Sequence, residues 1–118
     1  MSQTQENPFV TLLVTGDGMG QADATLRHKL IRTYLQLLDD SNTLPNVICF
    51  YTEGVKLVTH DSPVLDLLQA LERKGVTLTI CSTCLNYYGL AEQVAVGVVG
   101  GMTDIIEAQW RADKVITI

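Results

Sequence analysis

The sequence predicts an α/β fold in which a mostly parallel sheet of about five strands is covered by helices on two sides. Two observations predict it: strand-like and helix-like segments alternate along the chain, and the strands are apolar on both faces, as strands between helical layers are. Length supplies a third. At 118 residues the chain suits one domain, 1–118, large enough to bury about two thirds of the surface its unfolded form exposes.

The first strand is the apolar, β-branched run from Phe9 to Thr15, preceded by a polar segment, residues 1–8, expected to be flexible. It breaks into Gly16-Asp17-Gly18-Met19-Gly20, which reads as a mobile loop. Leu26, Leu30, Ile31, Tyr34, Leu37 and Leu38 then recur at helical spacing, with Arg27, Lys29, Arg32 and Asp39 for the wet side. After Ser41-Asn42-Thr43-Leu44-Pro45 comes a second buried strand, Asn46 to Tyr51, followed by the Gly-containing segment Glu53-Gly54-Val55-Lys56-Leu57. Ser62 as N-cap and Pro63 in the first turn open a helix carrying Val64, Leu65, Leu67, Leu68 and Leu71, and Gly75 stands where a left-handed C-cap falls. Val76 to Ile80 is the third strand. Leu90 to Val94 reads as a short helix and Val94 to Val99 as a fourth strand ahead of Gly100-Gly101. Thr103 is placed to cap a final helix, Asp104 to Ala112, and Lys114 to Ile118 closes the chain as a strand.

Charge narrows the function classes. With Lys+Arg 8 against Asp+Glu 13 the net charge is −5, and the cations are scattered, so a nucleic-acid surface is not expected. Neither an export signal nor an apolar run long enough to span a bilayer is visible, which leads us to expect a cytoplasmic protein with no membrane partner. In that compartment cysteines stay mostly reduced and open to chemistry.

The chemistry-bearing segment is Cys81-Ser82-Thr83-Cys84, which leaves the carboxyl end of the third strand and enters Leu85-Asn86-Tyr87-Tyr88-Gly89. A strand-to-helix turn offers unpaired N–H groups to a sulfur anion, and the Ser82 and Thr83 hydroxyls offer further donors. In open sheets ligands bind beyond the carboxyl ends of the strands, where both this turn and the Gly16 to Gly20 loop fall. Other readings exist. Cysteine is often a buried packing residue, although packing has no need of such a turn. Structural zinc favours two short-spaced pairs, and only Cys49, His28 and His60 remain beyond this one. A thioredoxin-like exchanger carries its C-x-x-C early in the fold, whereas here two strand and helix units precede it; reversible Cys81–Cys84 oxidation stays open.

The run Cys81-Ser82-Thr83-Cys84-Leu85-Asn86-Tyr87-Tyr88-Gly89-Leu90 resembles the cysteine motif of the DsrE/DsrF-like sulfur-relay proteins, most of all the DsrE-like domain of the YedF proteins associated with selenium metabolism. Gly54-Val55-Lys56-Leu57, Ser62-Pro63-Val64-Leu65, Gly75-Val76, Ala95-Val96-Gly97 and Ala112-Asp113-Lys114-Val115-Ile116 extend the likeness along nearly the whole chain. The resemblance implies a three-layer α/β/α fold, assembly into homo-oligomers such as trimers or hexamers, and a cysteine that carries sulfane sulfur as a persulfide without any cofactor. Aligned on Gly89, the first cysteine matches the carrier, which makes Cys81 the nucleophile and Cys84 its supporting or resolving thiol; Ser82, Thr83, Asn86, Tyr87, Tyr88, Gly89, Gly16, Asp17 and Gly18 would support the pocket. Many relatives place an arginine immediately before the motif's glycine, where this chain, like the YedF subgroup, has Tyr88. YedF proteins usually also carry an N-terminal TusA-like domain, so a TusA-like carrier is expected to act in trans, among the sulfur donors and acceptors.

The remaining candidates have bland readings. Gly16-Asp17-Gly18-Met19-Gly20 has Gln21 where a dinucleotide fingerprint needs its third glycine, so it reads as a loop rather than a nucleotide site, with Asp17 or Asp23 capping the helix that follows. Cys49 reads as core, His28 and His60 as surface residues, and Trp110 as core or subunit contact. Tyr87 and Tyr88 either shape the thiol pocket or pack between subunits. The expectation is therefore a sulfur carrier working through Cys81, with a non-catalytic binding or regulatory module, a dithiol redox protein and a flavin or nucleotide binder as the alternatives.

Overall fold

The computed structural model describes residues 7–118. Most of the expected flexible segment, 1–8, thus lies outside the described residues. The elements are β1 (Val10–Val14), α1 (Ala24–Asp40), β2 (Val47–Phe50), a 3₁₀ segment (Thr52–Val58), α2 (Leu65–Arg73), β3 (Thr77–Cys81), α3 (Ser82–Tyr87), β4 (Val98–Gly100), α4 (Met102–Arg111) and β5 (Lys114–Thr117). All five strands are parallel, in the order β4-β3-β2-β1-β5.

That order fixes where the helices go. From β1 to β4 the chain steps one strand at a time in one direction, so right-handed crossovers put α1 and α2 on one face, where they touch. The step from β4 to β5 runs back across the sheet and carries α4 to the opposite face, where the Thr11 hydroxyl donates to the Ala108 carbonyl at 2.7 Å. The result is the expected three-layer arrangement, with one layer thin. The core lies mainly under α1, α2 and the 3₁₀ segment, built from Leu12, Ile31, Leu35, Ile48, Phe50, Leu68, Leu71, Leu78 and Ile80.

Local chemistry explains most boundaries. Asp23 caps α1 by accepting from the Leu26 N–H at 3.0 Å. Gly75, at φ +99°, ends α2: its N–H reaches the Glu72 carbonyl and the Val76 N–H reaches that of Leu71, which is the Schellman arrangement. The start of α2 differs from expectation. Ser62 Oγ accepts from the Val64 N–H and closes a turn of its own, so the helix begins at Leu65.

Three further differences share one cause, bonds made to other elements. Residues 90–94 form no helix, because the His60 N–H bonds the Gln93 carbonyl, the Ala95 N–H bonds that of Val58, and Val94 bridges Thr59 in antiparallel fashion. The fourth strand is accordingly shorter and begins at Val98. At α4 the N-cap is Gly101 rather than Thr103, since the Asp104 carboxylate accepts the Gly101 N–H at 2.8 Å, half of a capping box. Among the described residues no helix is long and apolar enough to cross a membrane.

Candidate functional site

The carboxyl ends of β1, β2 and β3 lie side by side, in the register Val14↔Phe50↔Ile80. Each strand therefore delivers its next residues to the same rim: Thr15 from β1, Tyr51 and Thr52 from β2, and Cys81 from β3. Cys81 is both the last residue of β3 and the N-cap of α3, and it is 2% exposed. Cys84, one turn on, is only partly buried.

The donor that reaches sulfur comes from another element. Thr52 N–H points at Cys84 Sγ with a separation of 3.0 Å. Thr52 adopts φ +48°, a left-handed conformation that a β-branched residue rarely takes. Its hydroxyl anchors it there, its one hydrogen shared between the Thr15 and Tyr51 carbonyls. A backbone so constrained holds its N–H in a fixed direction. By contrast the six residues of α3 make a short dipole, and among the described residues neither the Ser82 nor the Thr83 hydroxyl bonds a sulfur. The expected source of stabilisation is thus replaced by the exit of the neighbouring strand.

Burial pushes the Cys84 thiol above its ordinary value, the adjacent Cys81 thiol adds to the rise, and the Thr52 N–H opposes it. The two sulfurs are close enough to perturb one another, though no aligned hydrogen bond joins them. Cys49 is of another kind. It lies in β2, 0% exposed, and burial followed by the nearby Asp104 charge pushes its thiol up to about 11, which makes it the inert core residue that was expected.

Gly54 explains how the 3₁₀ segment can cross the rim. It is buried against the end of β1, where a Cβ would collide with the Val14 carbonyl. Two residues later Lys56 Nζ sits 4.7 Å from the Tyr88 ring centroid and 3.7 Å from Glu53. A different segment thus sets a cation over the ring of residue 88. Tyr88 meets Tyr87 edge to face at 5.1 Å, while Tyr87 is 82% exposed and Asn86 faces solvent. Gly89 is structural: at φ +68° it stops α3, its N–H on the Asn86 carbonyl and the Leu90 N–H on that of Leu85.

Beside the cysteine turn lies a cleft of about 440 Å³ lined by Asp17, His28, Lys56, Thr59, Asp61 and Tyr88, among others. His28 Nε2 approaches Asp17 Oδ1 to 3.3 Å, without hydrogen-bond alignment. The sequence reads His28 as a surface residue, yet it forms part of this wall; His60 is exposed as expected. The Gly16 to Gly20 loop is pinned rather than free. The Met19 N–H bonds the Arg27 carbonyl at 3.1 Å, the Arg27 guanidinium bonds the Asp17 carbonyl at 3.2 Å, and Gly18 is buried against Arg27. Gly16 and Asp17 still border the rim, so the loop supports the site from the side. Among the described residues no three His, Cys, Asp or Glu side chains converge on a point where a metal ion could be held.

Trp110 is the clearest departure from a core reading, being 85% exposed on α4. Val98, Val99, Met102 and Ile106 are exposed on the same two elements, β4 and α4.

A model of the DsrE/DsrF-like family matches residues 9–118. The chain belongs to the DsrE/DsrF-like family. Members of this family generally serve sulfur relay, and the match includes the cysteine turn, the Thr52 strand exit and the loop after β1. A search of curated proteins finds no match. Among solved structures the chain is similar to the ychN protein from E. coli, at 16% identity and a TM-score of 0.71, covering 94% of this chain and 99% of that one. A protein of unknown function from Methanobacterium thermoautotrophicum, MTH1491, gives 20% and 0.70 over 95% and 100% of the two chains. Another from Bacteroides thetaiotaomicron, BT1422, gives 18% and 0.68 over 98% of each. At these identities the structural likeness is one of fold.

Proposed function

We propose that this DsrE/DsrF-like protein carries sulfane sulfur as a persulfide on Cys81 and passes it to an acceptor thiol, with Cys84 as the supporting thiol. The observation that carries this reading is the backbone N–H of Thr52, held in a strained conformation and aimed at Cys84 Sγ, one helical turn from Cys81. A neutral thiol is a weak acceptor, whereas a thiolate or persulfide anion at that place gains a charge-assisted bond. The chemistry is exchange: a cysteine thiolate attacks the outer sulfur of a donor persulfide, the donor leaves as a thiolate, and the reverse step loads the acceptor. No oxidant is consumed, since sulfane sulfur enters and leaves at one oxidation level.

Within the family we assign the chain to the YedF-type subgroup, on the motif ending Tyr87-Tyr88-Gly89 and on Gly54-Val55-Lys56-Leu57, whose lysine sits over Tyr88. Donor and acceptor are proteins of the cytoplasm, a TusA-like carrier in trans among them. The assembly is a homo-oligomer, a trimer or hexamer, and the apolar surface of β4 and α4 supports association.

The test is loading. Incubated with a cysteine desulfurase and cysteine, then blocked and read by non-reducing mass spectrometry, the protein is expected to gain one sulfur atom, mapped to Cys81. Failure to gain it under conditions that load a known carrier would sink the reading.

A further inference from the structure

The two cysteines differ in access. Cys81 is closed off, at 2% exposure, beneath the rim made by the 3₁₀ segment and α3, while Cys84 retains exposed surface on the first turn of α3. Thiol–disulfide exchange requires the attacking sulfur to approach the bond it breaks nearly in line, so a donor's persulfide must meet an accessible sulfur. The fixed N–H of Thr52 also points at Cys84 and not at Cys81. A threonine held at φ +48°, its hydroxyl shared between the Thr15 and Tyr51 carbonyls, is a strained feature, and it directs that donor at Cys84 Sγ.

We propose that Cys84 is the entry and exit thiol of the carrier and Cys81 its inner store. This rests on the sulfur-carrier reading above. In the first step the Cys84 thiolate attacks the outer sulfur of the donor persulfide; the donor leaves as a thiolate and Cys84 becomes Cys84–S–SH. In the second, Cys81 gives its proton to the departing Cys84 sulfur and attacks the outer sulfur, so that the Cys84–S bond to the cargo breaks and Cys81–S–SH forms. Each step makes one S–S bond and breaks one, and nothing is oxidised or reduced. Discharge runs the same steps backwards, with Cys84 presenting the cargo to the acceptor thiolate. Burial then protects the stored sulfur from reductants of the bulk solution, while the Thr52 N–H stabilises the anion at the gate in either direction.

Wild type, Cys81→Ser and Cys84→Ser are loaded with cysteine desulfurase and cysteine, and the position of the added sulfur is followed with time by peptide mapping. We expect Cys81→Ser to retain one sulfur on Cys84, and Cys84→Ser to load at least about tenfold more slowly than wild type. Alkylation of the unmodified wild type gives a reading independent of any variant: iodoacetamide should label Cys84 at least about tenfold faster than Cys81. Undiminished loading of Cys84→Ser, or equal or inverted labelling in wild type, overturns the proposal while leaving the carrier reading intact. Wild type that gains no sulfur at all overturns the carrier reading, and the two-step route with it.

Discussion

Thr52 shows how much one residue can decide at this rim. Threonine in an α-left conformation is unfavourable in itself, and nothing about the residue type announces it; the tertiary anchors at Thr15 and Tyr51 impose it. Its N–H works against burial, which keeps the Cys84 thiol protonated above the ordinary value of 9.0. The sign follows directly. A raised thiol value means that the reactive anion is a minority at neutral pH, so alkylation of Cys84 should climb by about tenfold per pH unit between 7 and 8 and level off only above 9. A rate profile that is flat by pH 8 would contradict this. Lys56 likewise places its charge over Tyr88, and the path of the 3₁₀ segment, permitted by Gly54, brings it there.

Among the elements α3 is the least able to stand alone. Its six residues are too few for a stable isolated helix, and it persists through Leu85 in the core and the Schellman stop at Gly89. Replacing Gly89 with alanine forces a Cβ into a left-handed position at φ +68° and should cost about 1–2 kcal/mol, measured by urea unfolding. Sulfur loading should fall with it, because the turn carrying both cysteines shares that helix. The elements also mark how legible the fold was. Every strand reads as an apolar run and α1 as a periodic one: β1, β2 and β3 because they are largely buried, β4 and β5 because they are rich in valine and isoleucine although largely exposed. The helix expected at residues 90–94 is absent, because the segment's backbone bonds Val58 and His60, a pairing between distant segments that local pattern does not carry.

At the scale of the whole molecule the sheet order is lopsided in its consequences. The first two crossovers cover one face with α1, the 3₁₀ segment and α2, the third adds the short α3 beside the 3₁₀ segment, and the single return to β5 carries α4 to the other face. Trp110, Met102, Ile106 and Val98 are exposed there. Replacing Trp110 with glutamate should therefore convert an oligomer to smaller species, read as mass by light scattering, with thermal stability of the single chain little changed. An unaltered mass, or a wild type that is already monomeric, would refute the assignment of this surface. The alternation of strands and helices, the core and the cysteine turn at the carboxyl rim are legible in the residues alone, because apolar period and turn chemistry are local properties. Only the tertiary structure decided which sulfur faces outward, that Thr52 supplies the donor, and that Lys56 and His28 line the cleft. Those depend on contacts between the ends of β1, β2 and β3, distant in the chain and joined only when the parallel sheet sets them in register.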